Sequence, residues 1–312
     1  MSENAVNISV IIPTRDRCQR VTRLLESLRA CRVPSGVSIE CLVVDNGSKD
    51  LTRAAVEAIS VLSPFPVTYL CEPVPGASRS RNMGIAAARG SILAFTDDDC
   101  VVEPEWLAGI AAAFERHPGL TGLFGRVLPN GESAIDASTL SVKTSMEPQD
   151  YRFPCSPFLG HGNNMAFTRQ SVVDVGAFDI AFGPGAPLRA AEDAEMAYRL
   201  LRKGAWLRYE PTVAIRHMPR DTLKGMLHGH RRNAIGLGAL FAKWVFRGDV
   251  YALKLGCWWW AGNFQGWRRA IVGKASLIRR IKSLYLIWVF YGALLRFAFN
   301  AGLVGRTYRN ST

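Results

Sequence analysis

Between Asn7 and Phe114 the chain passes four times through one alternation: an apolar stretch of strand length, then apolar residues at helical spacing. Asn7 to Ile12, closed by Pro13, precedes Val21, Leu24, Leu25 and Leu28. Ser38 to Val44, ended by Asp45-Asn46-Gly47-Ser48, precedes a helix from about Asp50 that carries Leu51, Ala54, Ala55, Ala58 and Leu62. Val67 to Cys71 precedes a Pro/Gly/Ser loop over Pro73 to Ser80 and a small-residue helix over Asn82 to Ala88. Ser91 to Phe95 precedes a helix over Trp106 to Phe114. Strands linked through helices by short connections run parallel, and such a sheet is covered on both faces. The pattern predicts an α/β fold with a Rossmann-like, mostly parallel sheet flanked by helices.

The fourth strand ends in Asp97-Asp98-Asp99. Adjacent acids repel one another and raise each other's proton affinity, so they call for a compensating cation. Hard oxygen donors suit Mg²⁺ or Mn²⁺, which keeps substrate phosphates as further ligands. The same acids would also serve a solvated turn before the helix that Glu103, Pro104 and Glu105 open. Two further polar clusters, Thr14-Arg15-Asp16 and Asp45-Asn46-Gly47-Ser48, follow the first and second strands. In a doubly wound sheet these loops lie side by side at the carboxyl ends of the strands, where ligands bind. A nucleoside diphosphate suits the three together, with its base on the first two and its pyrophosphate on a metal at the third. Neither GxxxxGK[ST] nor a GxGxxG after the first strand is present, which argues against a P-loop ATPase or a dinucleotide enzyme.

Further on, Leu120 to Leu128 reads as a strand, and Asn130 to Phe158 is polar and unassigned. Gly160 to Phe167 is a tight turn leading into a strand, and Asp179 to Ala190 is a Gly/Pro-rich loop. Glu192-Asp193 opens a helix that stops at Gly204. Ala205 to Tyr209 and Val213 to Ile215 read as two short strands before Arg216-His217.

The ordered set Ser9-Val10-Ile11-Ile12-Pro13-Thr14, Val44 to Ser48, Pro75-Gly76 through Arg81-Asn82-Met83-Gly84, Phe95 to Asp99, Gly162-Asn163-Asn164-Met165, Gly176-Ala177-Phe178-Asp179 and Glu192-Asp193 resembles the GT-A glycosyltransferases of family 2. The resemblance runs from about Ser9 to His217 and implies metal-dependent, inverting transfer from a nucleotide sugar. It implies that Asp99 binds the metal directly, that Asp97 holds the ribose or shares the metal shell, and that His217 is a further ligand. Pro13, Thr14, Asp16, Asp45, Asn46, Arg81, Asn82 and Asp98 would line the donor site, and Asn46, where relatives often have an acid, leaves the base open. Asp193 matches the family's general base, with Glu192 orienting it or bonding the acceptor. Gly162, Asn163 and Asn164 would line the acceptor site. His228-Gly229-His230-Arg231-Arg232 faintly resembles the QxxRW element of processive relatives without its Gln and Trp, so addition of a single sugar is expected. Arg231 or Arg232 would clamp the diphosphate or line a solvated basic helix face.

The net charge of +12 is unevenly placed. Residues 221–312 hold 15 Lys and Arg against two acids, +13, leaving −1 for residues 1–220. The expected domains are a catalytic domain over 1–220, with a nucleotide-sugar half (1–116) and an acceptor half (117–220), and a basic helical region over 221–312. That region interleaves Phe241, Trp244, Phe246, Trp258, Trp259, Trp260, Phe264 and Trp267 with basic residues, and Arg268/Arg269 and Arg279/Arg280 fall on one helical face. Such a helix suits an anionic membrane surface. Leu284 to Val304 approaches spanning length, but Arg296 within it costs roughly 2.5 to 3.5 kcal/mol at a helix centre, favouring an in-plane or re-entrant anchor. The alternative is a soluble helical subdomain or an oligomer interface.

Seven scattered cysteines with no CxxC pair argue for reduced thiols and against zinc, and the N-terminus carries no secretory pattern. These features place the expected enzyme on the cytoplasmic face of the membrane, acting on a glycan or lipid-linked acceptor. A nucleotidyltransferase would want a basic Gly-rich loop after the first strand, and Thr14-Arg15-Asp16-Arg17 is not one. A nucleic-acid-binding protein would use the tail and leave Asp97 to Asp99 unexplained, so no nucleic-acid partner is expected. A donor-binding protein without catalysis is the remaining alternative.

Overall fold

A computed structural model describes residues 7–130, 142–218, 223–259 and 261. The predicted 284–304 anchor and the Arg268/Arg269 and Arg279/Arg280 pairs lie outside these residues. The chain forms two compact units. One comprises Met1–Ile180, Pro184–Ala186 and Glu192–Asp221, and the other Ala181–Gly183, Pro187–Ala191 and Thr222–Thr312.

In the first unit the alternation becomes β1 (Asn7–Thr14), α1 (Cys18–Arg29), β2 (Ser38–Asp45), α2 (Thr52–Ser60), β3 (Val67–Cys71), α3 (Ala77–Ala87) and β4 (Ile92–Thr96). It continues through β5 (Cys100–Val102), α4 (Trp106–Arg116), β6 (Gly122–Pro129), β7 (Gln149–Tyr151), β8 (Asn164–Thr168), α5 (Arg169–Val175), α6 (Glu192–Arg202) and β9 (Leu207–His217). The sheet order is β3-β2-β1-β4-β8-β6-β9-β5, with β7 beside β9. It is parallel through β4 and mixed beyond, because β8 runs antiparallel to both β4 and β6 while β6 and β9 are parallel.

Alternate residues of β1 feed two separate cores, as the pleat requires. Ile8, Val10 and Ile12 join Val21, Leu24, Leu28 and Trp106 on one face, and Ile11 joins Leu93, Phe95, Met196 and Leu200 on the other. Helix α3 begins at Ala77, five residues before the predicted start, because the N–H of Ala77 bonds the Pro184 carbonyl at 2.8 Å and so anchors its first turn. The helix lies so close to β1 that a Cβ on Gly84 would come within 2.5 Å of Ile11. The two short strands expected around Glu210 are one strand, β9, whose register against β6 shifts between Gly125 and Arg126.

Asn164 fills that irregularity. It is 1% exposed, donates to the Arg126 and Val213 carbonyls at 2.9 Å each, and accepts from Trp106 Nε1 at 2.9 Å. A Cβ on Gly125 would lie 2.2 Å from the Val213 carbonyl and 2.3 Å from Asn164 Nδ2, so only glycine lets the strands close around this amide. The acceptor-lining role expected of Asn164 is corrected: its side chain joins β6, β8, β9 and α4.

In the second unit, α7 (Leu223–Val245) is followed by helical residues 250–259, whose start is capped by Asp249 accepting from the Tyr251 and Ala252 N–H groups. Among the described residues no helix is long and apolar enough to cross a membrane.

Asn164→Leu keeps the forked shape but strands two carbonyls and an indole N–H. Urea unfolding is expected to show a loss of about 3 kcal/mol with an unchanged denaturant slope.

Candidate active site

Strand pairing brings the expected residues together. Thr14 at the end of β1 lies opposite Asp45 at the end of β2, and β4 beside them delivers Asp97, Asp98 and Asp99. Antiparallel β8 sets Asn164 opposite Thr96, so the turn at Gly162-Asn163 falls beside the acids. The β5–β9 pair sets His217 opposite Cys100, next to Asp99. A Cβ on Gly162 would sit 3.2 Å from Asp193 Cβ, which places the start of α6 against the same turn.

A single guanidinium ties the two sides of the site. Arg81, 1% exposed, donates from Nη2 to Asp97 Oδ1 and from Nη1 to Glu192 Oε1, each at 2.8 Å, with its Cζ 5.7 Å from the Phe178 ring centre. Burial works against its charge, but Asp97 and Glu192 raise its pKa above the usual arginine value. Asp97 is raised by burial and by Asp99 and Glu192, against the pull of Arg81.

The other acids differ. Asp98 faces inward, accepting from Thr14 Oγ1 at 2.9 Å and Arg17 Nη1 at 2.5 Å, and burial pushes it up to about 6 in spite of Arg17. Asp99 is also disfavoured by burial, yet His217, Arg17 and Arg20 hold it down to about 2. Asp193 is raised by burial, against bonds from the Ala194 and Gly162 backbone and the field of Arg81.

Several expected ligand residues are committed to holding loops. Asn46 donates to the Glu72 and Val74 carbonyls and accepts from the Gly76 N–H, so its amide straps the loop after β3 and has no free donor for a base. Asn82 likewise donates to the Phe178 carbonyl and accepts from the Phe178 N–H. Asp16, at φ 50°, joins the first two loops by donating its N–H to Ser48 Oγ and accepting from the Lys49 N–H, each at 2.7 Å. Asp45 accepts from Ser48 and from the Tyr69 hydroxyl. Asn163 is buried and its Oδ1 has no partner. Arg231 and Arg232 lie on α7 in the second unit, where Arg232 donates to the Arg189 carbonyl. Arg17 and Arg20 reach Asp99 and Tyr69 reaches Asp45 without any family motif that marks them. The sequence signal for the first two is a pair of arginines three apart, just after the first strand's polar loop.

Among the described residues no three His, Cys, Asp or Glu side chains already converge on one point. A Mg²⁺ or Mn²⁺ ion that keeps diphosphate oxygens needs only one or two protein carboxylates, so Asp97 and Asp99 suffice. His217 fits as a neighbour: its Nε2 is 3.4 Å from Asp99 Oδ1 and its buried Nδ1 has no partner.

A parallel half with acids at its strand ends, joined to a mixed half that brings up a helix-borne acid pair, is the GT-A architecture. Residues 9–175 match the family described as glycosyl transferase family 2, and the chain belongs to that family. It is 28% identical over 226 residues to the pre-mycofactocin glycosyltransferase of Mycobacterium tuberculosis, across 70% of this chain and 44% of that protein. The chain thus spans less than half the length of this relative. The mannosyltransferase PcManGT from Pyrobaculum calidifontis, solved with GDP-Man and Mn²⁺, shares the fold at a TM-score of 0.59 and 19% identity, covering 97% of this chain and 76% of that one. TarS 1-349 of S. aureus with UDP-GlcNAc does so at 0.56 and 17%, covering 92% and 81%.

Gly162→Ala would press on Asp193 and displace it by a few tenths of an ångström. Turnover in a sugar-transfer assay is expected to fall about tenfold, while the melting temperature stays within about 2 °C of the parent.

Proposed function

We propose that the chain transfers one sugar from a nucleoside-diphosphate sugar to a glycan or lipid-linked acceptor, with inversion at the anomeric carbon. The observation that carries this reading is the Asp97–Arg81–Glu192 bridge, which sets the donor-side acids and the Asp193 carboxylate on either side of one buried cation. The nucleotide sugars held by PcManGT and TarS support the donor class.

In this reading Asp193 takes the proton of an acceptor hydroxyl as that oxygen attacks the anomeric carbon and the bond to the diphosphate breaks. Burial raises its proton affinity, suiting a base that must hold the proton it removes. Arg81 fixes Glu192 and, through it, the first turn of α6. Asn163, with its unpartnered Oδ1, accepts from an acceptor hydroxyl. Thr14 and Asp45 line the base and ribose side, while Asn46 and Asp16 keep their loops closed. Asp99, Asp97 and His217 would hold Mg²⁺ or Mn²⁺, which when bound takes up charge developing on the leaving diphosphate.

Thermal melting against UDP, GDP, dTDP and CMP, each with and without Mn²⁺, is expected to show a metal-dependent rise for one nucleotide that disappears in Asp99→Ala. With the donor so identified, Asp193→Asn is expected to keep that rise and lose transfer by about 10²- to 10⁴-fold. In the parent, activity should fall as pH drops through a value above the ordinary carboxylate range, because protonated Asp193 cannot act as base. No rise with any nucleotide in folded protein would defeat the reading.

We also propose a peripheral association with the cytoplasmic face of an anionic membrane. Phe246, Val250, Leu253 and Trp258 are 60%, 67%, 50% and 71% exposed, with Arg247 and Lys254 interleaved. Apolar residues edged by cations suit the headgroup boundary. Flotation with vesicles containing phosphatidylglycerol is expected to carry the full chain, and Trp258→Ser with Leu253→Ser to weaken it. Equal recovery with neutral vesicles at high salt would count against the electrostatic part.

A further inference from the structure

Asp99 already has cationic company. Arg17 Nη1 is 3.3 Å and Arg20 Nη1 3.7 Å from its Oδ2, while the same Arg17 nitrogen is 2.5 Å from Asp98 Oδ1. Arg17 immediately precedes α1 and Arg20 lies in its first turn, so both guanidinium groups rise from one side of that helix. They are 44% and 46% exposed, whereas Asp98 beneath them is almost fully buried and also bonded to Thr14. Arg17 is therefore anchored on Asp98 and touches Asp99 more loosely.

The arginines offset part of the charge around the acids. Asp97, Asp98, Asp99, Glu192 and Asp193 supply five carboxylates, and Arg17, Arg20 and Arg81 pair with the first four. A divalent ion approaching Asp99 alone would meet two guanidinium charges beside it and a weakened negative field. A diphosphate changes that balance, since its oxygens offset the ion and the arginines together.

We propose that Arg17, supported by Arg20, is the resident counter-cation of Asp99 and makes divalent-ion binding conditional on the donor's diphosphate. The proposal rests on Asp99 being a metal ligand, as in the reading above. On donor binding Arg17 keeps Asp98 and releases Asp99, and its remaining N–H groups turn to phosphate oxygens. Ion and nucleotide then bind as a unit, and each must tighten the other by the same factor.

The test is Mn²⁺ binding to the full chain, read by the electron paramagnetic resonance signal of free Mn²⁺, alone and with the stabilising nucleoside diphosphate. Wild type is expected to hold Mn²⁺ about tenfold more tightly with the diphosphate than without it. Arg17→Gln is expected to bind Mn²⁺ alone about tenfold more tightly than wild type and to lose most of the diphosphate's effect. Arg17→Lys should stay near wild type. Should Arg17→Gln fail to fold, Arg20→Gln carries the test, with a tightening of about threefold. Unchanged or weaker binding of Mn²⁺ alone by a folded Arg17→Gln would overturn the proposal and leave Arg17 a plain ion pair of the fold. Asp99→Asn separates the two levels: Mn²⁺ binding that survives this change defeats the metal assignment itself, and this proposal with it.

Discussion

A guanidinium with no access to water must have its charge met inside the protein, and Arg81 is such a group. Its two partners come from the end of β4 and the first turn of α6, more than ninety residues apart in sequence. Withdrawing either acid would cost the buried fork one of its two charged hydrogen bonds, so the distance between the acids after β4 and the helix bearing Asp193 is held by one planar fork. The neighbouring residue adds to the constraint. Asn82 holds the backbone of Phe178, and the ring of Phe178 covers the Arg81 guanidinium. Two successive residues of α3 thus fix both the charge bridge and its apolar cover.

Side-chain amides do much of the remaining positioning. Asn46, Asn82 and Asn164 each both donate to and accept from groups elsewhere in the chain, and an ionised carboxylate of the same shape has no donor to supply that combination. Polar residues around a cleft suggest ligand contact when read along the chain. Here three of them instead hold the loop after β3, the backbone at Phe178 and the junction of β6 with β9.

The parallel half was legible because its period-two and helical patterns are uninterrupted, and because each strand end is marked by a polar cluster. The ordered motifs carried the rest of the site by resemblance. Other features had no local signal. The early start of α3 depends on Pro184, far along the chain, and Ala77 to Ser80 look like loop by composition. Glu210-Pro211-Thr212 reads as a break between strands, yet Gly125 lets Asn164 fill the irregularity and β9 runs through. Arg17 looks like an ordinary surface residue until β4 is folded beside it.

The β5–β9 pairing joins residues 100–102 to residues 215–217. His217 therefore reaches Asp99 through one of the most non-local pairings in the unit, a slow kind of contact to form. On the ribosome, a chain made as far as α4 could already assemble β3-β2-β1-β4 with its three acids. It would still lack the Glu192 partner of Arg81 and the strand that brings in His217. A cluster drawn from both ends of a domain in this way comes together only after the last strand has joined the sheet, however early the first half has folded.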